Sequence, residues 1–213
     1  MKSEIDSKFI LVCFFFLAII TFFCNNTPLF DQDEAAYAGF AKNMLETKNW
    51  LLPNFFWSDI HRKTPLHFWN IAISYKIFGI KEFAVRFSSA VFVFLTYVTV
   101  YILGKKIVTK IQAFYASMIL ATSLLVPALG KIAVTDGTLL FFTVLCAFAL
   151  IFILKNKSWK WVLIFWISFS LALLCKGPPI IIFSSLFGIL LLISSKRKNL
   201  IILHPWFFLP LAA

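Results

Sequence analysis

The chain returns repeatedly to long apolar runs, and their length is the tightest constraint on what it can fold into. Residues 9–24, 87–103, 111–129, 138–154, 159–175 and 178–193 each approach the roughly 20 residues that a helix needs to cross a bilayer. A seventh run occupies 200–213 and meets the last residue without a polar flank, so we expect the N-terminal part of a longer protein. Inside a bilayer every backbone polar group must be satisfied internally, and a helix does this within one segment. The expected fold is therefore all-α, a polytopic transmembrane helical bundle. Composition agrees, since 14% of residues are charged where a soluble domain carries about a quarter.

A formal net charge of +11 first suggests nucleic acid. The distribution excludes it. Lys105, Lys106 and Lys110 follow the second run, Lys155, Lys157 and Lys160 follow the fourth, and Lys196, Arg197 and Lys198 follow the sixth. Cationic clusters at alternate connections fit the positive-inside rule, with Lys2 and Lys8 on a cytoplasmic N-terminus. The partners this implies are membrane lipids, and the expected location is a bacterial inner (plasma) membrane. The first run has no small-residue cleavage site after it, so it reads as a retained anchor. Cys13, Cys24, Cys146 and Cys175 lie in or at the ends of apolar runs and read as small packing residues.

With that topology, residues 25–86 form one long external segment. Six of the nine acids lie there, namely Asp31, Asp33, Glu34, Glu46, Asp59 and Glu82, and Asp136 falls in a second external connection. Within the segment, Ala36, Phe40, Met44 and Leu45 recur at helical spacing, behind an Asp31/Glu34 pair spaced as a capping box. A second helix is expected from Thr64-Pro65, with Thr64 as N-cap and Leu66, Trp69, Ile73 and Ile77 as one apolar stripe. Both helices are expected to lie at the outer membrane surface.

Four ionisable residues stand beside helix ends on that same face. Asp33 and Tyr37 are four apart on one helix face, which gives a carboxylate a phenolic neighbour and suits a general base. Lys63, with Arg62 beside it, precedes a helix N-terminus, where unpaired N–H groups favour an anion. Asp136 sits at the mouth of the fourth run, where it could cap the helix or act chemically. Lys176 occupies a short turn, Lys-Gly-Pro, with no acid close in sequence. His61 and His67 could ligate a metal, but no further ligand is suitably spaced, so a divalent cofactor is not supported. Two carboxylates and two lysines at one membrane face suit a substrate with a lipid tail and a phosphate.

The order Asp33-Glu34-x-x-Tyr37, then Lys63-x-Pro-Leu-x-x-Trp69, then Arg86-Phe-Ser-Ser-Ala90, then Thr135-Asp-Gly-x-Leu-x-Phe141, then Lys176-Gly-Pro resembles the GT-C membrane glycosyltransferases of the protein O-mannosyltransferase and lipid A aminoarabinose transferase superfamily. That resemblance implies an inverting transfer of sugar from a polyprenyl-phosphate donor to a lipid, glycan or protein acceptor. It implies Asp33 as base or acceptor-orienting residue, Lys63 and Lys176 on the donor phosphate, and Asp136 as a second positioning acid. Glu34, Tyr37, Arg62 and Arg86 would support them. The chain departs from the aminoarabinose transferases at Ala36, where they carry a basic residue, at Arg62, where they carry an acid, and at Thr64, where Pro is usual.

Two other functions are compatible with the same residues. A secondary transporter would use Asp136 and Lys176 as a charge pair, although such pairs normally sit at helix breaks near the midplane between repeated halves. A non-catalytic subunit could hold polyprenyl phosphate without transferring anything.

Overall fold

The computed structural model describes residues 7–23, 25–29, 32–51, 64–156 and 158–194. Among them all regular structure is helical. Helix α1 (Ser7–Phe22) is followed by α2 (Gln32–Thr47), α3 (Leu66–Phe78), α4 (Glu82–Gly104), α5 (Lys110–Thr122), α6 (Leu125–Leu129), α7 (Thr135–Asn156), α8 (Trp159–Lys176) and α9 (Pro179–Ser194). Of these, α4, α7 and α8 are long and apolar enough to cross a membrane, while α1 and the apolar part of α9 are shorter. The seventh apolar run, 200–213, lies outside the described residues.

The centre of the bundle is the α7–α8 hairpin, packed against α4 and α9. Its contact is built on small side chains, with Cys146 and Ala149 of α7 and Ala172 of α8 fully buried, because small residues let membrane helices approach closely. Phe152 stacks on Trp161 with ring centroids 4.3 Å apart and closes the hairpin. Where α7 begins, Gly137 faces α4 so closely that a Cβ would lie 3.4 Å from both the Leu129 carbonyl oxygen and a Val93 methyl. A Cβ there would make ordinary van der Waals contact with both.

Described lysines of the first two clusters meet at one end of the bundle. Lys110 Nζ lies 3.1 Å from Ser7 Oγ, Lys155 Nζ donates to the Lys106 carbonyl at 3.3 Å, and the Lys106 ammonium sits over the Trp161 ring. A capping box starts α5 at this end, with Thr109 Oγ1 accepting from the Gln112 amide and Gln112 Oε1 from the Thr109 amide. The basic end is opposite the end that carries α2, α3 and the first turn of α7.

Three local features differ from the sequence reading. The run 111–129 is two helices, because Ser123 is extended (φ −65°, ψ 156°) and ends α5. Leu124, 94% exposed at the break, is as apolar as a helical residue, so hydropathy runs straight through it. Helix α4 starts at Glu82 and so takes Arg86 into its first turns. Thr64 does not cap α3: no side chain caps that helix, and Thr64 Oγ1 has no hydrogen-bond partner.

Helices α2 and α3 pack face to face. Tyr37, Phe40, Ala41 and Met44 of α2 form one buried cluster with Phe68, Ile71 and Ala72 of α3. The expected stripe on α3 therefore divides, with Leu66 buried and Ile73 and Ile77 50% and 65% exposed. The Trp69 indole N–H donates to the Trp50 carbonyl at 2.6 Å and pins the chain that leaves α2.

Candidate active site

The site is organised by one buried ion pair. Arg86 of α4 and Glu34 of α2 are joined by two parallel hydrogen bonds, Nε to Oε1 at 2.7 Å and Nη2 to Oε2 at 2.8 Å, with side chains only 3% and 0% exposed. Such a fork-to-carboxylate geometry is the strongest form of the pair. The remaining guanidinium donors hold the α1–α2 connection. Nη1 reaches the Thr27 carbonyl at 2.6 Å and its hydroxyl at 2.8 Å, and Nη2 reaches the Pro28 carbonyl at 3.0 Å. Glu34 Oε1 also accepts the Ala133 amide at 2.9 Å. One pair thus ties α2, α4 and the α6–α7 connection together, although Glu34 and Arg86 are 52 positions apart.

That tie positions two other acids. Asp33 directly precedes Glu34 in the first turn of α2, and Asp136 follows Ala133 by three residues in the first turn of α7. In both places the helix dipole favours a carboxylate. Nearby, Lys131 Nζ donates to the Ile20 carbonyl at 2.6 Å and the Thr21 carbonyl at 3.1 Å, and also to the Phe23 carbonyl. It caps the C-terminal end of α1 and fixes the α6–α7 connection from the other side.

Between these elements lies a cavity of about 320 Å³. Asp33 and Tyr37 line it from α2, Asp136 from α7, and Lys176 from the end of α8, with Thr64 and Cys175 completing much of the wall. Lys176 Nζ lies 2.5 Å from Asp136 Oδ1, and the two side chains remain 42% and 41% exposed. The lysine, which has no acid near it in sequence, is thus neutralised across the fold. Its turn depends on Gly177, whose φ of +75° suits a residue without a Cβ.

Of the residues singled out from sequence, Asp33, Tyr37, Asp136 and Lys176 converge on the cavity, and Glu34 and Arg86 form the buried pair behind it. Arg62, Lys63 and His61 lie outside the described residues, as does Asp31 with its expected cap. His67 is fully buried on α3, with its ring edge-on to Tyr37 at 5.3 Å. Among the described residues no group of three or more His, Cys, Asp or Glu is gathered.

Sequence reasoning missed Cys175 and Thr64 as wall residues and Lys131 as the cap of α1. The Lys176-Gly-Pro turn was a signal for Cys175, since the preceding residue must lie at the same helix end. A second, smaller cavity of about 230 Å³ lies on the other side of α2, between Lys42, Tyr75 and Glu82. There burial, helped by the Glu82 carboxylate, pushes the Tyr75 phenol up to about 12, so Tyr75 stays neutral.

Residues 62–213 match the family model described as dolichyl-phosphate-mannose-protein mannosyltransferase. The chain is 30% identical over 164 residues to an undecaprenyl phosphate-α-4-amino-4-deoxy-L-arabinose arabinosyl transferase 2 of Proteus mirabilis, covering 76% of this chain and 30% of that protein. A similarly named transferase of Yersinia pestis is 30% identical over 161 residues, covering 75% of this chain and 29% of its own length. The chain therefore spans about a third of the length of the curated relatives it matches. Among solved structures, ArnT from Cupriavidus metallidurans bound to undecaprenyl phosphate superimposes with a TM-score of 0.82 at 18% identity, covering 97% of this chain and 42% of that one. The apo form of that protein gives 0.81. At this identity the likeness shows a common fold.

Proposed function

This chain belongs to the dolichyl-phosphate-mannose-protein mannosyltransferase family, and from that premise we propose that it carries the catalytic part of an inverting glycosyltransferase. The donor is a sugar on a polyprenyl phosphate, and the acceptor is a lipid, glycan or protein. The carrying observation is the cavity that brings Asp33, Tyr37, Asp136 and Lys176 together from three helices. Asp33 is exposed, at the cavity wall and beside a fixed pair, which suits a base that must meet an incoming acceptor. The names of the Proteus and Yersinia relatives, both undecaprenyl phosphate-α-4-amino-4-deoxy-L-arabinose arabinosyl transferases, support the donor class.

The reaction is a single displacement. The acceptor's nucleophile attacks the anomeric carbon while Asp33 takes its proton, and the bond from that carbon to the phosphate oxygen breaks. Its electron pair leaves on the lipid phosphate, where the Lys176 ammonium meets the growing negative charge, with Lys63 as a second cation. Glu34 and Arg86 keep Asp33 aimed, and Tyr37 walls the cavity beside it. The site works on the periplasmic or external face of a bacterial inner membrane, with the lysine-rich end and the N-terminus cytoplasmic.

The test is transfer of radiolabelled sugar from polyprenyl-phosphate donors by membranes carrying the full-length protein. Asp33→Asn is expected to lower turnover by ~10²–10⁴-fold, and Lys63→Ala is expected to abolish transfer with protein levels intact. Normal transfer in both variants would remove the catalytic assignment.

A further inference from the structure

Lys176 has two possible partners, and they are not available at the same time. In the structure its ammonium sits on Asp136 at 2.5 Å, on the wall of the cavity that a phosphate would enter. Asp136 sits on a short side chain in the first turn of α7, whereas Lys176 hangs on a long, flexible stem at the end of α8. Of the two, the ammonium has the longer reach.

Building on the glycosyltransferase reading, we infer that Asp136 is a positioning residue that acts through Lys176. It holds the ammonium at the cavity wall, yields it to the phosphate of the donor, and takes it back when the lipid phosphate departs. Chemistry makes the return necessary. The donor is a phosphodiester with one negative charge, and the leaving lipid phosphate is a monoester carrying more charge near neutral pH. A lysine with no competing partner would hold the product more tightly than the donor, and turnover would stall at release. The competing carboxylate weakens the hold on donor and product by the same factor, and the weaker hold on the product lets it leave. The exposure of the pair, about 40% on each side, suits an exchange, because neither partner must be stripped of water to change places.

Other groups face the cavity, and they define the control. Asp33 is the second described carboxylate there, while Tyr37, Thr64 and Cys175 are neutral. Removing any negative charge from this cavity would favour an anion, so tighter binding alone does not establish competition for Lys176. The decisive comparison is made with Lys176 absent.

Binding of undecaprenyl phosphate would be measured on the full-length protein in nanodiscs for the unaltered protein, Asp136→Asn, Lys176→Met and the double variant, with thermal unfolding as a check on folding. Asp136→Ser replaces Asp136→Asn if the amide perturbs the fold. We expect Asp136→Asn to lower Kd about two- to fivefold, the range for a pair this exposed. Lys176→Met is expected to raise Kd about tenfold or more, as loss of a charged hydrogen bond does, and adding Asp136→Asn to it should lower Kd by clearly less than the same substitution does when Lys176 is present. In turnover, Asp136→Asn should lower kcat while KM for donor falls. Weaker or unchanged binding in Asp136→Asn overturns the inference, and so does equal tightening when Lys176 is absent. Failure of the unaltered protein to bind undecaprenyl phosphate would instead overturn the donor assignment on which the inference rests.

Discussion

Glu34 with Arg86 and Asp136 with Lys176 are carboxylate–cation pairs of nearly the same length, 2.7 Å and 2.5 Å, at the same end of the bundle. Their surroundings separate them. The first is almost wholly buried, and Arg86 Nη1, Arg86 Nη2 and Glu34 Oε1 are each also used by backbone from another element, so neither partner can leave without stranding several groups. The second is about 40% exposed and rests on a single hydrogen bond. Burial with saturated hydrogen bonding turns an ion pair into a fixed joint, while partial exposure leaves it open to exchange. The cavity needs both kinds, one to hold its walls in register and one to respond to substrate.

The comparison breaks most visibly at Arg86. Arg86→Met leaves the Glu34 carboxylate buried without its partner and releases the carbonyls of Thr27 and Pro28, so we expect a loss of ~3–5 kcal/mol in unfolding experiments in detergent. Replacing both partners by apolar residues, which often rescues a buried pair, should fail here because those carbonyls would still lack donors. Lys176→Met is expected to cost under ~1 kcal/mol in the same measurement. Equal losses at the two sites would show that exposure does not distinguish them.

In turnover the ranking reverses in meaning. Lys176→Met should lower kcat by ~10²–10³-fold, the usual cost of one charge-stabilising donor, in a protein that unfolds normally. Arg86→Met should lose most of its activity with the folded protein, and the surviving folded molecules should show a smaller fall in kcat than Lys176→Met, through the aim of Asp33. Assays normalised to folded protein separate the two.

How far the sequence discloses this arrangement follows from the range of each interaction. Hydropathy over some 20 residues reports the solvent around a helix, so α1, α7 and α8 were legible from their apolar runs. The same signal is blind to the break at Ser123, because Leu124 and Leu125 are compatible with lipid whether or not they are helical. The acids at the start of α2 were legible as a helix start, since local spacing carries that information. Glu34 also fits a cap locally, and only the fold shows that its carboxylate is committed to Arg86 and Ala133. Lys176 likewise looked unneutralised until α7 brought Asp136 beside it. Patterns within one turn or one helix can be read along the chain, and pairs set by helix packing cannot.

Glu34→Gln sharpens the comparison at smaller cost. The amide oxygen can keep the position of Oε1 and go on accepting from Arg86 Nε and the Ala133 amide, but its NH₂ then faces Arg86 Nη2, donor against donor. One hydrogen bond and the charge are lost while the shape is retained. We expect a stability loss of ~1–3 kcal/mol, smaller than for Arg86→Met, with a fall in kcat because Asp33 follows the first turn of α2. A kcat unchanged at full occupancy of folded protein would show that Asp33 is aimed without the pair.

The smallest effect gives the most direct measure of the difference. A double-mutant cycle on unfolding stability, built from Asp136→Asn and Lys176→Met, should give a coupling below ~1 kcal/mol at low salt. In 1 M salt the screening length falls to ~3 Å, and ions reach both partners, so the coupling should vanish. The corresponding cycle for Glu34→Gln and Arg86→Met should be larger and hardly change with salt, because its charges are closed off from the counterions. A salt-insensitive coupling between Asp136 and Lys176 would mean that their water is excluded when the rest of the protein is in place. The exchange with a phosphate would then require the pair to be broken at the cost of a buried one.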